Sequence, residues 1–159
     1  MKPIKRILAP TDFSAAGKSA LDEAIGLART LGATVTLFNV YELPQPIPDA
    51  GVAYGPDVID ALAGAARGQL EHTRDELRQA GGEMPPIEIK SALGNAHEAI
   101  VEEARRGGYQ LVVMGTHGRT GLRHLLLGSV AERVVRMSPT PVLTVHPATE
   151  AGAPAGRAQ

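Results

Sequence analysis

Glycine and serine residues recur at fixed spacing in the segment GTHGRTGLRHLLLGS. Its arrangement is Gly115-x2-Gly118-x9-Gly128-Ser129, with two arginines inside it. Glycines let a ligand approach the backbone closely, and successive backbone N–H groups in such turns form concave anion sites. The chain that follows Gly128 is predicted to enter a helix, whose first N–H groups have no intrahelical partner. These features together predict a site for a diphosphate or triphosphate.

Two other phosphate-binding patterns are absent from the chain. Neither GxGxxG nor GxxxxGK[ST] occurs, so the lysine and adjoining metal-binding hydroxyl of the second pattern are missing. The sequence accordingly predicts no catalytic residue and no metal-binding cluster. An alternative interpretation is that the glycines only form turns and a helix cap.

Five apolar or β-branched runs alternate with segments of helical periodicity, which predicts an α/β fold. Because parallel neighbours need helical crossovers, we expect a single-domain, doubly wound, five-stranded parallel sheet of order 3-2-1-4-5. Residues 1–147 would form this domain, and residues 148–159 lack apolar periodicity and are predicted to be a disordered tail. The predicted strands are residues 4–10, 34–40, 86–93, 109–115 and 141–147.

The helices are predicted from their apolar spacing and end signals. The first contains Ala20 to Leu31 and ends at Gly32, and the second covers residues 57–80. A third helix begins near Asn95, where Glu98 three residues later resembles a capping box. The last helix follows Ser129.

The strand order predicts where a ligand would bind. In a doubly wound sheet, ligands bind outside the carboxyl ends of the strands at the point where the strand order reverses. Here that point lies between strands 1 and 4. Pro10, Thr11 and Asp12 leave strand 1, and Met114 and Gly115 end strand 4. The glycine segment therefore begins at the predicted crevice.

Composition excludes several classes of function. The 159 residues carry a formal net charge of −1 and only 3% aromatic residues, so neither a nucleic acid nor a membrane is an expected partner. No cysteine is present, which excludes disulfides and thiol chemistry. No apolar run suits a signal peptide or a membrane-spanning helix, and we expect a cytoplasmic protein.

The sequence resembles the ATP-binding branch of the universal stress protein family. The resemblance rests on ILAPTDFS near the start, on the glycine pattern, and on VAERVVRMSPTPVLTV after it. It covers residues 3–147 and implies a Rossmann-like fold of the adenine nucleotide alpha hydrolase type. It also implies a bound ATP or ADP, whose phosphates could hold Mg²⁺.

The resemblance implies roles for particular residues. The glycine motif would bind phosphates and ribose, the aspartate after strand 1 the ribose hydroxyls, and a backbone at the end of strand 2 the adenine. An alternative for the aspartate is that it caps the first helix along with Ser14. Carried over, the ligand-binding residues are Asp12, Val40, Gly115, Gly118, Gly128 and Ser129, with His117, Arg119 and Val130 as phosphate neighbours.

The resemblance also implies an oligomeric state and a type of activity. The apolar edge strand Val142–Val145 would pair with its copy in a second chain and form a homodimer. We expect a nucleotide-dependent regulatory module with little or no hydrolysis. Two alternatives stay open, namely a slow ATPase or phosphotransferase, and a nucleotide-free dimerisation or chaperone-like module.

Overall fold

The computed structural model describes residues 3–44, 54–117 and 127–147. The tail that the sequence predicts to be disordered lies outside these ranges. None of the described helices is both long enough and apolar enough to cross a bilayer. In chain order, the elements are β1 Arg6–Pro10, α1 Ala15–Leu31, β2 Thr34–Tyr41, α2 Pro56–Gln79, β3 Ile87–Leu93, α3 Ala96–Arg106, β4 Leu111–Gly115, α4 Ser129–Met137 and β5 Val142–Val145.

The predicted sheet is confirmed. Its order is β3-β2-β1-β4-β5, and all neighbouring strands are parallel. The central strand β1 has a partner on each side, so that Ile7 lies opposite Val35 of β2 and Leu111 of β4. After β3 the chain returns across the sheet to form β4. The loops after β1 and β4 therefore leave the sheet in opposite directions, which opens a crevice between them.

Helices cover both faces of the sheet. On one face, α1 and Leu70 of α2 pack against a cluster that includes Ile7 of β1. On the other, residues of α3 and α4 pack against a second cluster that includes Leu8 of β1. Both strand residues are fully buried, although they are adjacent in sequence and point to opposite faces. This two-sided burial explains why the strands are apolar runs without alternation.

Polar contacts hold together the end of the sheet opposite the crevice. The Arg6 guanidinium donates hydrogen bonds to the Gly107 carbonyl at 2.6 Å and to the Glu88 carboxylate at 2.9 Å. It also lies over the Tyr109 ring, 4.8 Å from the ring centre. The Gln110 side-chain oxygen accepts from the Arg6 amide at 2.9 Å. The starts of β1, β3 and β4 are thereby fixed to one another, and the crevice is left to the other end.

Two local predictions need correction. Asn95 is the N-cap of α3, but its side chain makes no capping hydrogen bond, so the predicted capping box with Glu98 is wrong. The Glu98 carboxylate is 71% exposed and lies 4.0 Å from His97 Nε2 instead. Helix α1 begins at Ala15, earlier than its apolar periodicity at Ala20 indicates.

Gly115 ends β4 at a place where helix α1 approaches the strand closely. A Cβ atom built on Gly115 would lie 2.8 Å from the Ala16 carbonyl carbon and 2.9 Å from its oxygen. Both are backbone atoms of the first turn of α1, and they cannot rotate away as a flexible side chain would. Gly115 is therefore required by helix–strand packing, whatever the chain binds.

We expect Gly115→Ala to lower the free energy of unfolding by about 1–3 kcal/mol, because the added methyl group forces α1 away from β4. Gly64→Ala is the matched control, since a Cβ on this glycine of α2 meets nothing within 4 Å. That control should raise stability by about 0.5–1 kcal/mol. Urea denaturation measures both changes. A Gly115→Ala protein as stable as the wild type would contradict the packing argument.

Candidate functional site

A cavity of about 270 Å³ occupies the crevice between the ends of β1 and β4. This is close to the lower end of the range of small-molecule pockets, about 300 Å³. Every predicted site residue that the structure describes lines it. Gly118 and Arg119 lie outside the described residues. The predicted residues that line the cavity are Pro10, Thr11, Asp12, Val40, Met114, Gly115, His117, Gly128, Ser129 and Val130.

The loop after β1 is held in place by hydrogen bonds to β2. The Thr11 amide donates to the Phe38 carbonyl at 2.8 Å and so continues the ladder one residue past the strand. The buried Asn39 side chain donates to the Thr11 carbonyl at 2.9 Å. Because both bonds come from the neighbouring strand, the position of Asp12 at the cavity is fixed by the sheet.

Asp12 and Ser14 form a short hydrogen-bonded turn into α1. One carboxylate oxygen of Asp12 accepts from the Ser14 amide at 3.1 Å and from its hydroxyl at 2.5 Å. The Ser14 hydroxyl in turn accepts from the Gly17 amide at 3.2 Å, which makes Ser14 the N-cap of α1. Asp12 therefore supports the cap without forming it. Its carboxylate is half-buried and borders the cavity.

Between them, Phe13 adopts a backbone conformation that is unusual for its residue type. Its φ is 63°, in the left-handed region. Such strain costs on the order of 1–3 kcal/mol and persists only where surrounding contacts enforce it. Here the Phe13 amide donates to the Thr11 hydroxyl at 3.0 Å, and the Asp12 turn fixes the next residue.

Thr116 joins the end of β4 to two other elements. Its amide donates to the Val145 carbonyl of β5 at 2.9 Å, and its carbonyl accepts from the Gly128 amide at 2.7 Å. A Cβ on Gly128 would lie 3.0 Å from that carbonyl oxygen, closer than a side chain normally fits. The glycine at this position therefore lets the start of α4 lie directly against the strand end.

The start of α4 presents hydrogen-bond donors to the cavity. The helical ladder begins with the Glu132 amide, which donates to the Gly128 carbonyl at 2.9 Å. The amides of Ser129, Val130 and Ala131 consequently have no partner within the helix, and all three residues line the cavity. The N-cap Gly128 offers them no side-chain acceptor. Such a helix start favours an anion.

Two imidazoles share the Thr116 hydroxyl at the rim. His117 Nδ1 lies 2.9 Å and His146 Nδ1 3.2 Å from this oxygen, and the two ring centres are 6.4 Å apart. A hydroxyl has one proton to donate, so the tautomer of one ring constrains the hydrogen bonding of the other. His117 is thus oriented beside the helix start by a buried side chain.

The wall between β1 and α3 is apolar. Phe38, Met114 and Ile100 are all buried and line the cavity. The Phe38 carbonyl accepts a hydrogen bond from Thr11, so the backbone groups of Phe38 point towards β1. Because backbone direction alternates along a strand, the N–H and C=O of Val40 point to the same side. Since β1 ends at Pro10, opposite Phe38, these Val40 groups lie beyond its last paired residue. The arrangement suits a flat, hydrogen-bonding ring system on an apolar bed.

The described residues hold no group of three or more His, Asp or Glu side chains placed to bind a metal ion. The phosphate oxygens of an anionic ligand are themselves ligands that Mg²⁺ prefers. The donor set itself fits phosphates, because it consists of helix-start amides and a hydroxyl.

Sequence reasoning missed several lining residues. They are Gly17, Phe38, Ala96, Ile100, Thr116 and Ala131. Thr116 could have been found, since it lies inside the motif and directly after strand 4. Ala96 and Ile100 could not, because they reach the cavity only through the packing of α3 over β2.

Comparison with known proteins agrees with this geometry. Residues 3–146 match the sequence pattern of the Universal stress protein family. Universal stress protein MJ0577 of Methanocaldococcus jannaschii is 31% identical over an alignment of 156 residues. The match covers 89% of this chain and 94% of that protein.

Solved structures give the same result. The structure of hypothetical protein MJ0577 superposes with a TM-score of 0.76 at 29% identity, over 94% of this chain and all (100%) of that one. A universal stress protein solved in complex with cAMP superposes with a TM-score of 0.69 at 27% identity, over 92% of this chain and 100% of its own. With its sheet order, its crevice and this match over nearly its whole described length, the chain belongs to the universal stress protein family.

Proposed function

We propose that the protein binds ATP or ADP in the crevice and acts as a dimeric, nucleotide-dependent regulatory module with little or no hydrolysis. The observation that carries the proposal is the convergence of three kinds of group on one cavity. They are a fixed carboxylate, a helix start whose first amides have no partner within the helix, and an apolar wall beside the Val40 backbone groups. A nucleotide has a counterpart for each of them.

Each part of the nucleotide has a proposed contact. The adenine ring would lie against Phe38 and Ile100 and pair with the Val40 backbone. The ribose hydroxyls would donate to the Asp12 carboxylate, which the hydrogen bonds from Ser14 hold in place. The phosphates would accept from the amides that begin at Ser129, and Mg²⁺ would bind to the phosphates themselves.

Other residues complete the proposed site. Pro10, Thr11, Met114 and Gly115 shape its walls, and His117 lies at the phosphate end. Gly118 and Arg119 keep their predicted roles as phosphate contacts. The relative that was solved with cAMP supports an adenine nucleotide as the ligand class.

Hydrolysis has no evident machinery among the described residues. The P-loop lysine is absent from the sequence, and the one carboxylate that lines the cavity, Asp12, already accepts two hydrogen bonds. Binding without rapid turnover is what a regulatory module needs. Two alternatives remain, a slow ATPase and a nucleotide-free module. Single-turnover hydrolysis distinguishes the first from the proposal, and ATP calorimetry distinguishes the second.

The dimer is proposed to form along β5, at the edge of the sheet. The Pro141 carbonyl accepts from Val112 of β4 and the Val145 carbonyl from Thr116 just after it. By alternation, the backbone groups of Val142 and Thr144 point away from the sheet. Three large apolar side chains are exposed on β5 and on α4, which contacts β5: Leu143 is 37%, Val135 of α4 47% and Met137 of α4 49% exposed. Pairing with the same strand of a second copy would satisfy the edge and cover this surface.

Two further assignments are part of the proposal. Residues 1–147 form the family domain, and residues 148–159 form a tail outside it. The cytoplasmic location stays a prediction from the sequence.

Asp12→Asn is expected to weaken ATP binding about tenfold or more, because a charged acceptor for the ribose hydroxyls becomes a neutral amide. Calorimetry with ATP, ADP, AMP and cAMP measures the affinities. Asp60→Asn on the exposed surface of α2 makes the same chemical change away from the cavity and should leave binding unchanged. Equal ATP affinity in both variants, with circular dichroism unchanged, would contradict the role of Asp12.

Single-turnover hydrolysis of ATP with Mg²⁺ should be far slower than about 1 s⁻¹, the low end of ordinary enzymes. The measurement follows radiolabelled ATP mixed with excess protein, so that product release cannot limit the observed rate. A rate constant near or above that value would favour the ATPase alternative.

Thr144→Pro is expected to shift the dimer towards monomer without unfolding the chain, because it removes an N–H that points away from the sheet. Leu143→Pro is the informative contrast, since it removes an N–H that faces β4 and should also reduce stability. Light scattering gives the mass, and thermal denaturation the stability. A wild-type protein that is monomeric at tens of micromolar would refute the pairing.

A further inference from the structure

A second cavity lies on the other face of the sheet, between α1 and α2. Its volume is about 410 Å³, within the range of small-molecule pockets, about 300–1,000 Å³. Its floor is apolar and formed by Phe13, Leu21 and Leu77. Thr11 is the one residue that lines both cavities among those described. The second cavity is therefore a separate space that borders the first at the loop after β1.

Opposite charges stand on the α1 side of this cavity. Lys18 and Asp22 both line it, and they lie four residues apart on one face of the helix. That spacing suits an ion pair, yet neither forms one with another described residue. On the α2 side, His72 and Glu76 are within 3.5 Å of each other. The cavity is thus lined by a lysine and an aspartate that make no direct ion pair with each other.

One residue of the cavity floor, Phe13, has a strained backbone conformation. Phe13 lines this cavity, and hydrogen bonds at the Asp12 turn hold its backbone at a φ of 63°. Left-handed conformations of large residues concentrate at ligand sites, because surrounding structure must maintain them. Phe13 lines this cavity and is not among the residues that line the first one.

We propose that this cavity between α1 and α2, called the α1–α2 groove below, binds an α-amino acid with an apolar side chain. Such a ligand is a small zwitterion with an apolar body. The ligand carboxylate would pair with Lys18 and its ammonium with Asp22. The side chain would lie on Phe13, Leu21 and Leu77. Because both charged residues are exposed, each ion pair contributes little and the affinity is in the millimolar range. The proposal stands independently of nucleotide binding.

Titration of the full-length ¹⁵N-labelled protein with L-phenylalanine or L-leucine tests it. We expect saturable shifts of backbone amides in α1 and α2 around the groove at ligand concentrations up to about 10 mM. No saturable shift, or shifts confined to the residues of the nucleotide cavity, would overturn the proposal.

Two analogues and two variants identify the charged contacts. N-acetyl-L-phenylalanine lacks the ammonium and L-phenylalaninamide lacks the carboxylate, so each should bind about two- to fivefold more weakly than the amino acid. Asp22→Asn should weaken phenylalanine and its amide but not the acetyl derivative. Lys18→Gln should weaken phenylalanine and the acetyl derivative but not the amide. Asp60→Asn is the control, and variants that affect all three ligands equally would refute the assigned orientation.

Discussion

Thr116 is the residue through which the crevice is held together. Its amide binds β5, its carbonyl binds the start of α4 at Gly128, and its hydroxyl lies between two imidazoles. It is 1% exposed, so these bonds form away from water, where leaving a polar group unpaired costs most. The edge strand and the helix start are therefore both hydrogen-bonded to the backbone of this one buried residue.

A second constraint comes from the loop after β1. Here the carboxylate that faces the crevice also supports the cap of α1, through Ser14. If the Asp12 side chain moved to follow a ligand, it would give up the two hydrogen bonds from Ser14, the N-cap of α1. Such linkage keeps a binding group preorganised, which reduces the ordering cost of binding. The same hydrogen bonds flank Phe13, which adopts the left-handed conformation.

The strands of the sheet and the position of the crevice could be predicted from the sequence, because few strand orders are possible for a parallel α/β sheet of this length. Apolar runs separated by helical spacing predict the strands, and the order of the strands predicts the crevice. The features that could not be predicted depend on packing and hydrogen bonds between residues far apart in the sequence or on the exact local geometry. Gly115 suggested a phosphate contact, whereas the structure adds the approach of Ala16 as a reason for it. The left-handed Phe13 depends on hydrogen bonds that no propensity reports, and the Asn95 cap has the right position without its side-chain bond.

The central position of β1 has a consequence for biosynthesis. Ile7 pairs with Leu111, so one neighbour of the central strand is made about a hundred residues after it. At about 5–20 residues per second, a nascent chain waits on the order of 5–20 s for that partner. Until then the β4 side of β1 has no native partner, and Ile7 and Leu8, which are fully buried in the finished sheet, lack part of their cover. Pairing with the wrong strand is thus a hazard of translation for this topology, and it ends only when β4 leaves the ribosome.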